Sequence, residues 1–363
     1  MQSIRSFKVI AVLLLASCFL LACERQPDAG EMLARYDYRL GNALELAAGE
    51  RGAPPPGVEV IELPRYPQRR DLLQPLQPLN IGLLDFLRLS DCDLQRLLGE
   101  RNSVLGKVMA GSQQLLYHHQ FIRLAELCLA TLAQDTGRSD LHEALELALR
   151  AKRQDSVNIG WNATAASAEF RQLFSLADGP LLPATAALKP TELLVSLQQL
   201  ARMLAITEPL QSSELEAYYQ VVGSANIAGR LLLSQQLVAV HLDRLTARVE
   251  AELDRRPLCY RAAPSPRARV AEQVFLRFYI GEVQPYISAV HQQSVSLGAA
   301  LETLLEPYRP WPDPFARYWQ LTWSSQNQAS VWRRFQSAVS EHTQLWQKML
   351  RQCGMSPGAT QSG

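Results

Sequence analysis

The sequence predicts an all-α fold, a helical bundle in two lobes behind a short, irregular, Pro-rich N-terminal segment. Three observations carry that prediction. Apolar residues recur at three- and four-residue intervals through most of the chain beyond residue 81. No Gly-rich phosphate loop and no series of alternating short segments interrupts them, which argues against α/β architectures. Hydrophobic residues make up 47% of the 363, enough for one large core or two joined ones.

The first 23 residues form a secretory address. Arg5 and Lys8 give a basic start, an apolar stretch follows from Val9, and Leu20-Leu21-Ala22-Cys23 closes it. The apolar run is short for a membrane span, and a small residue precedes the cysteine. This is the bacterial lipobox, in which the Cys23 thiol takes a diacylglyceryl group and becomes the new N-terminus. Leu15-Ala16-Ser17-Cys18 is an internal rival, but cleavage there would leave Phe19-Leu20-Leu21-Ala22 exposed. Residues 1–22 are therefore read as signal peptide and 23–30 as tether, with the membrane as partner through the acylated Cys23. Glu24, where Asp would signal inner-membrane retention, points to the outer membrane, and with no surface-export feature evident the body is expected on its periplasmic face.

The helices follow in order. Leu33, Tyr36, Leu40 and Leu44 predict a helix over Glu31–Leu46. Ala53-Pro54-Pro55-Pro56-Gly57 stops it, Val58–Leu63 alternates weakly enough for one short strand, and four further prolines keep residues 31–80 otherwise irregular. Residues 81–155 read as a first lobe, with Leu115, Ile122, Leu129 and Leu132 on one stripe. Ser139 is placed to cap a helix carrying Leu141, Leu145 and Leu149. Residues 156–190 connect to a second lobe, 191–353. There Ser213-Glu214-Leu215-Glu216 reads as a capping box opening a helical region to Arg256, with Gly223 and Gly229 as bends. A helix over Arg267–Glu306 is expected to kink at Pro285. Asp313 is expected to cap a helix through Trp323, and a last helix spans Ala329–Cys353 before a tail, 354–363.

Charge and cysteines narrow the class. Of the 36 basic residues, the 34 beyond the signal face 35 acidic ones, a net charge of −1. Such balance gives no reason to expect nucleic acid as a partner. Cys92, Cys128, Cys259 and Cys353 remain after processing, an even number suited to an oxidising periplasm. Four cysteines allow three pairings that spacing does not separate. The expected pairs are Cys92–Cys128 and Cys259–Cys353, since each brackets one helical unit. No Cys-x-x-Cys and no histidine at ligand spacing supports a metal site, and no cofactor motif is present.

The densest polar segment is Gly99–Lys107, read as an interhelical loop. Arg101, Asn102, Ser103 and Lys107 make it a candidate grip for an anionic group, against the plainer reading of a capped, solvated turn. Neither Ser-x-x-Lys nor Gly-x-Ser-x-Gly occurs, so no nucleophile motif accompanies it. Phe315, Trp319 and Trp323 repeat every four residues; exposed they would stack on sugars or a membrane interface, buried they are a core face, the favoured reading. His118 shares a face with Leu115 and Ile122 and is expected to be a hydrogen-bonded core histidine, apart from His119. Asp91, Asp93 and Glu100 read as a solvated face, and Asn162-Ala163-Thr164 as a sequon without consequence.

The runs Leu63-Pro64-Arg65-Tyr66-Pro67, Leu84-Asp85-Phe86-Leu87-Arg88-Leu89-Ser90-Asp91-Cys92 and Glu100-Arg101-Asn102-Ser103-Val104-Leu105-Gly106-Lys107-Val108 resemble an uncharacterised family of Gram-negative bacterial lipoproteins. The resemblance spans nearly the whole mature chain, including Cys23 and the Cys92/Cys128 pair. It implies envelope localisation and disulfides but no activity, because the family is a domain of unknown function. The expected role is a non-enzymatic interaction or envelope-maintenance module that binds another envelope protein. A binder of small or lipidic ligands and an envelope hydrolase are the alternatives.

Overall fold

A computed structural model describes residues 28–46, 62–78, 83–102, 109–205, 210–260 and 263–355. Among them the chain is helical and forms no strand, only an isolated bridge between Tyr260 and Ala263. Cys23, Ser103 and Lys107 lie outside the described residues, as does most of the expected strand; Glu62 and Leu63 are irregular. The order begins α1 (Ala29–Ala43), α2 (Arg69–Leu72), α3 (Leu83–Arg88), α4 (Leu94–Asn102), α5 (Gly111–Leu132), α6 (Ser139–Gln154), α7 (Ser156–Ala163) and α8 (Ala168–Leu173). It continues with α9 (Thr191–Ala205), α10 (Ser212–Ser224), α11 (Ile227–Arg255), α12 (Pro266–Val274), α13 (Gln284–Leu305), α14 (Asp313–Thr322) and α15 (Val331–Gln352).

Two hydrophobic clusters organise these helices. The smaller gathers Leu89, Leu94, Leu97, Tyr117, Phe121, Leu141 and Leu145 from α4, α5, α6 and the turn after α3. The larger takes in α1, α2 and α7 to α15. Helix α5 belongs to both, giving Leu115 and Leu116 to the large cluster and Tyr117 to Leu132 to the small one. The stripe expected on α5 is therefore split: Leu115 and Leu132 are buried in different clusters, and Ile122 and Leu129 are only half-buried.

The helix ends show where local signals were followed and where they were overruled. Asp28 accepts from the Glu31 N–H at 2.8 Å and Glu31 accepts from the Asp28 N–H at 3.1 Å, a capping box that starts α1 two residues early. Ser265 and Ser330 cap α12 and α15. Ser139 does not cap α6; a 3-10 turn, Thr136–Arg138, precedes it, and Asp135 caps that turn. Asp313 is likewise the first residue inside α14, with Pro312 ahead of it. The capping box expected at Ser213 does not form, because Glu216 accepts instead from Ser112 Oγ on α5 at 2.8 Å.

The long helix expected to Arg256 is broken at Asn226, whose φ of 48° is left-handed, between α10 and α11. Gly229 does not bend α11. It permits a close approach: a Cβ there would lie 1.9 Å from the Ser175 carbonyl oxygen. Nor does Pro285 kink a continuous helix; a nine-residue π-helical stretch, Phe275–Val283, joins α12 to α13, and Pro285 falls in the first turn after it.

Both expected disulfides are present. Cys92 bridges to Cys128 across the small cluster, and Cys259 to Cys353 ties the end of α11 to the end of α15. The Pro-rich segment is pinned across α7. Asn162 accepts from the Gln74 N–H at 2.8 Å and donates to the Gln74 carbonyl at 2.9 Å, while the Trp161 indole donates to the Leu72 carbonyl at 2.7 Å.

Candidate functional site

The polar segment expected to be a loop is partly helix. Gly99 to Asn102 close α4, so Arg101 sits in a last turn, where a cation opposes the helix dipole favourably. Its guanidinium lies 5.9 Å from the Tyr117 ring centroid. The same ring, and that of Phe121, lie 5.9 Å from the ammonium of Lys152 in the last turn of α6. Lys152 is only 9% exposed. Burial pushes its pKa down, Asp155 raises it, and Arg101 lowers it further.

His118 completes this seam between the clusters. It is 2% exposed, its Nε2 lies 3.1 Å from Ser156 Oγ, and its Nδ1 is buried with no hydrogen-bond partner. Burial, then the charges of Lys152 and His119, lower its pKa to about 4. A histidine so shifted and lacking a carboxylate on Nδ1 is a poor general base, so the Ser156–His118 contact is not an activated nucleophile. His119 also shifts down by burial but faces a separate side. Asp91 and Glu100 are exposed and pair with Arg138 and Arg96, and Asp93 is exposed too, the solvated face expected of them.

A second arrangement lies at α1. Tyr36 donates to His342 Nε2 at 2.7 Å and accepts from the Trp346 indole at 2.8 Å. That leaves His342 Nδ1 to donate to Thr246 Oγ1 at 2.9 Å. The imidazole is fully buried, and desolvation lowers its pKa to about 4. These groups satisfy one another and bolt α1 to α11 and α15. Arg248–Asp37 at 2.7 Å and the Arg35–Glu282 ion pair clamp the same helix from outside.

Beside Arg35 and Glu282 opens a groove of about 440 Å³. Its walls are Met32 of α1, the segment from Pro183 to Ala187, and Gly281, Tyr286 and Ala289 around the start of α13. The Pro183–Ala187 wall is held rigidly. Leu181 donates to Ser234 Oγ at 2.9 Å and accepts from Tyr286 at 3.1 Å, while the Gln293 amide donates to the Ala186 carbonyl. These pins leave Leu182 and Leu188 outside, 45% and 69% exposed, and Ile280 is 37% exposed beside Gly281. Long π-helical segments are rare and cluster at functional sites, and this one forms the opposite wall.

The aromatic stripe is core: Phe315, Trp319 and Trp323 are buried among Trp161, Trp311 and Phe174, with Tyr308 and Tyr318 beside them. Asn162 is buried and committed to Gln74, so the sequon is closed in the folded chain. Sequence reasoning passed over Lys152 although its spacing from Leu141, Leu145 and Leu149 puts it on the buried stripe of α6. It also passed over the groove, because nothing local announces a π-helical turn. Among the described residues no group of His, Cys, Asp and Glu could hold a metal ion, and no helix is long and apolar enough to cross a membrane.

No curated protein and no solved structure matches this chain. Residues 33–357 do match one family, described as "Protein of unknown function (DUF3080)". That match takes in every described helix but the first turn of α1, and the chain belongs to the DUF3080 family.

Proposed function

We propose that this protein is a lipoprotein of the outer membrane, held on the periplasmic face by acylated Cys23, which acts without chemistry of its own by capturing a segment of another envelope protein. The carrying observation is the groove at α1, whose lining segments are flanked along the chain by the exposed Leu182, Leu188 and Ile280. Apolar anchors set in a preformed recess are the usual energetic centre of a protein interface. Position adds to this reading. The α1 cap, Asp28, is five residues from Cys23, a span of at most about 18 Å when extended. Met32 and Arg35 follow within two turns, which would keep the groove near the bilayer surface.

A photo-crosslinking amino acid at Leu188 or Ala289, introduced in cells, is expected to trap one discrete protein, lost when Ile280 is changed to Asp. An adduct of lipid mass alone would favour the alternative, a lipidic ligand suited to the small Pro and Ala side chains of the wall. No adduct at either position would overturn both readings. Cys23→Ala is expected to release the protein from membranes, and unchanged association would refute the anchor.

A further inference from the structure

Helix α1 and the run from α12 into the π-helical stretch share an outer face that is at once apolar and basic. Tyr38 on α1, Val270 on α12, and Leu276 and Ile280 on the π-helical stretch are 64%, 53%, 55% and 37% exposed. Arg39 and Arg277 stand among them. Their guanidinium groups each lie 5.6 Å from the centroid of the Phe278 ring, which joins the two elements. Neither arginine makes a salt bridge within 4 Å among the described residues. The neighbouring acids are engaged elsewhere, Asp37 with Arg248 and Glu282 with Arg35. Against Glu272, half-buried on α12, stands the exposed Arg269, so the face keeps a net positive charge. Two cations held over one ring raise the local potential and favour an anionic surface.

Single exposed apolar side chains are ordinary, but here aliphatic, phenolic and guanidinium groups are interleaved. That mixture suits a bilayer interface. Aliphatic side chains enter the acyl boundary, tyrosine sits at headgroup level, and arginine reaches the phosphates along its apolar stem. Position favours a bilayer over an acidic protein. Asp28 is five residues beyond Cys23, and Tyr38 and Arg39 lie about 15–17 Å further along α1. A tether so short holds the face at high effective concentration beside the lipid.

We propose that this face lies against an anionic phospholipid surface, with Arg39 and Arg277 on headgroup phosphates and Val270, Leu276 and Ile280 at the acyl boundary. The inference deepens the lipoprotein reading: it rests on the anchor for proximity, while the chemistry of the face needs no acyl chain. It sets α1, with the groove beside it, toward the membrane.

The first test uses the mature polypeptide, residues 24–363, without its acyl group; it contains every described helix. It is expected to float with vesicles of phosphatidylglycerol, to bind phosphatidylcholine far less, and to be released as salt rises from about 0.1 to about 1 M. Arg39→Gln with Arg277→Gln should lower partition roughly 10- to 30-fold, and Leu276→Asp should lower it too. All three side chains are exposed, so the variants keep the core intact. Equal binding to the two kinds of vesicle, or unchanged partition in the arginine variant, would overturn the proposal.

Orientation is then read in the acylated chain on vesicles of phosphatidylglycerol with brominated acyl chains. The six native tryptophans are all buried. Leu276→Trp should therefore add fluorescence that bromine quenches, whereas Leu147→Trp, on α6 in the small cluster, should escape quenching. Equal quenching at both positions, or none at Leu276→Trp, would overturn the proposal, as would a crosslinker at position 276 that traps a protein in cells and no lipid. Loss of the acylated chain from these vesicles in high salt would count against the anchor instead, and flotation of the unacylated polypeptide would still decide the face.

Discussion

The two hydrophobic clusters are held together by different means. The large one has buried aromatic rings around Phe315 and a satisfied polar bolt in which Tyr36, His342, Thr246 and Trp346 leave no nitrogen unpaired. The small one is built mainly on leucine and stitched from outside. Cys92–Cys128 bridges it, and Arg88–Asp140 and Arg138–Asp91 close its tip at 2.7 and 2.9 Å on partly exposed side chains. Exposed ion pairs add little stability each, so the small cluster leans on its disulfide more than the large one does. It also borders the buried Lys152, which makes no salt bridge within 4 Å among the described residues.

Gly229→Ala should break the large cluster most severely. The added methyl would meet the Ser175 backbone, which no rotamer can relieve, so the helix must shift away from α8. The expected loss exceeds about 4 kcal/mol, or soluble protein disappears altogether. Wild-type stability in this variant would show that the Ser175 contact is loose.

The disulfides come next. Chain-entropy arguments give about 4–5 kcal/mol for closing the longer Cys259–Cys353 loop and about 3–4 for Cys92–Cys128. The comparison predicts a difference in kind as well. Cys92→Ser with Cys128→Ser should speed hydrogen exchange chiefly in α4, α5 and α6, while Cys259→Ser with Cys353→Ser should lower stability globally. Uniform exchange changes in both would erase the distinction between clusters.

Acid should separate them further. His342 titrates near 4 when folded and near 6.5 when unfolded, so the unfolded chain binds the proton first and stability falls as pH drops from 6.5 to 4. That loss approaches about 3 kcal/mol for this fully buried ring. His118 adds in the same direction. Asp243, raised to about 6 by burial and by Glu341, opposes both, since a carboxyl that prefers its proton when folded gains stability as pH falls. Urea unfolding of Asp243→Asn at pH 6.5 and 4.5 removes the opposing contribution, and a flat profile in that variant would sink the assignment of His342 as neutral. The smallest effect is expected at the tip, where Arg88→Ala should cost no more than about 1 kcal/mol and vanish in high salt.

Much of this was legible beforehand because it is local. Helical periodicity survives packing, so the all-α class and most of the helices could be read from residue spacing. The disulfide partners bracket helical units, and the Phe315–Trp319–Trp323 face had the spacing of a buried stripe. Local signals failed where a tertiary contact competed for the same atoms. Glu216 could not close a capping box while accepting from Ser112, and Arg101 was drawn onto Tyr117 in a helix and not left in a loop.

The helical class and the apolar faces depend on residues a few positions apart and were readable from the chain alone, whereas the four cysteines left three pairings open until the fold brought Cys92 to Cys128 and Cys259 to Cys353. Only the tertiary structure decided that Asn226 breaks a helix, that a π-helical stretch walls a groove, and that Lys152 is sealed beside His118. The physical reason is the range of the forces involved. Backbone hydrogen bonding and side-chain periodicity act within a turn or two, whereas desolvation and charge at a seam depend on which distant helices exclude water from it.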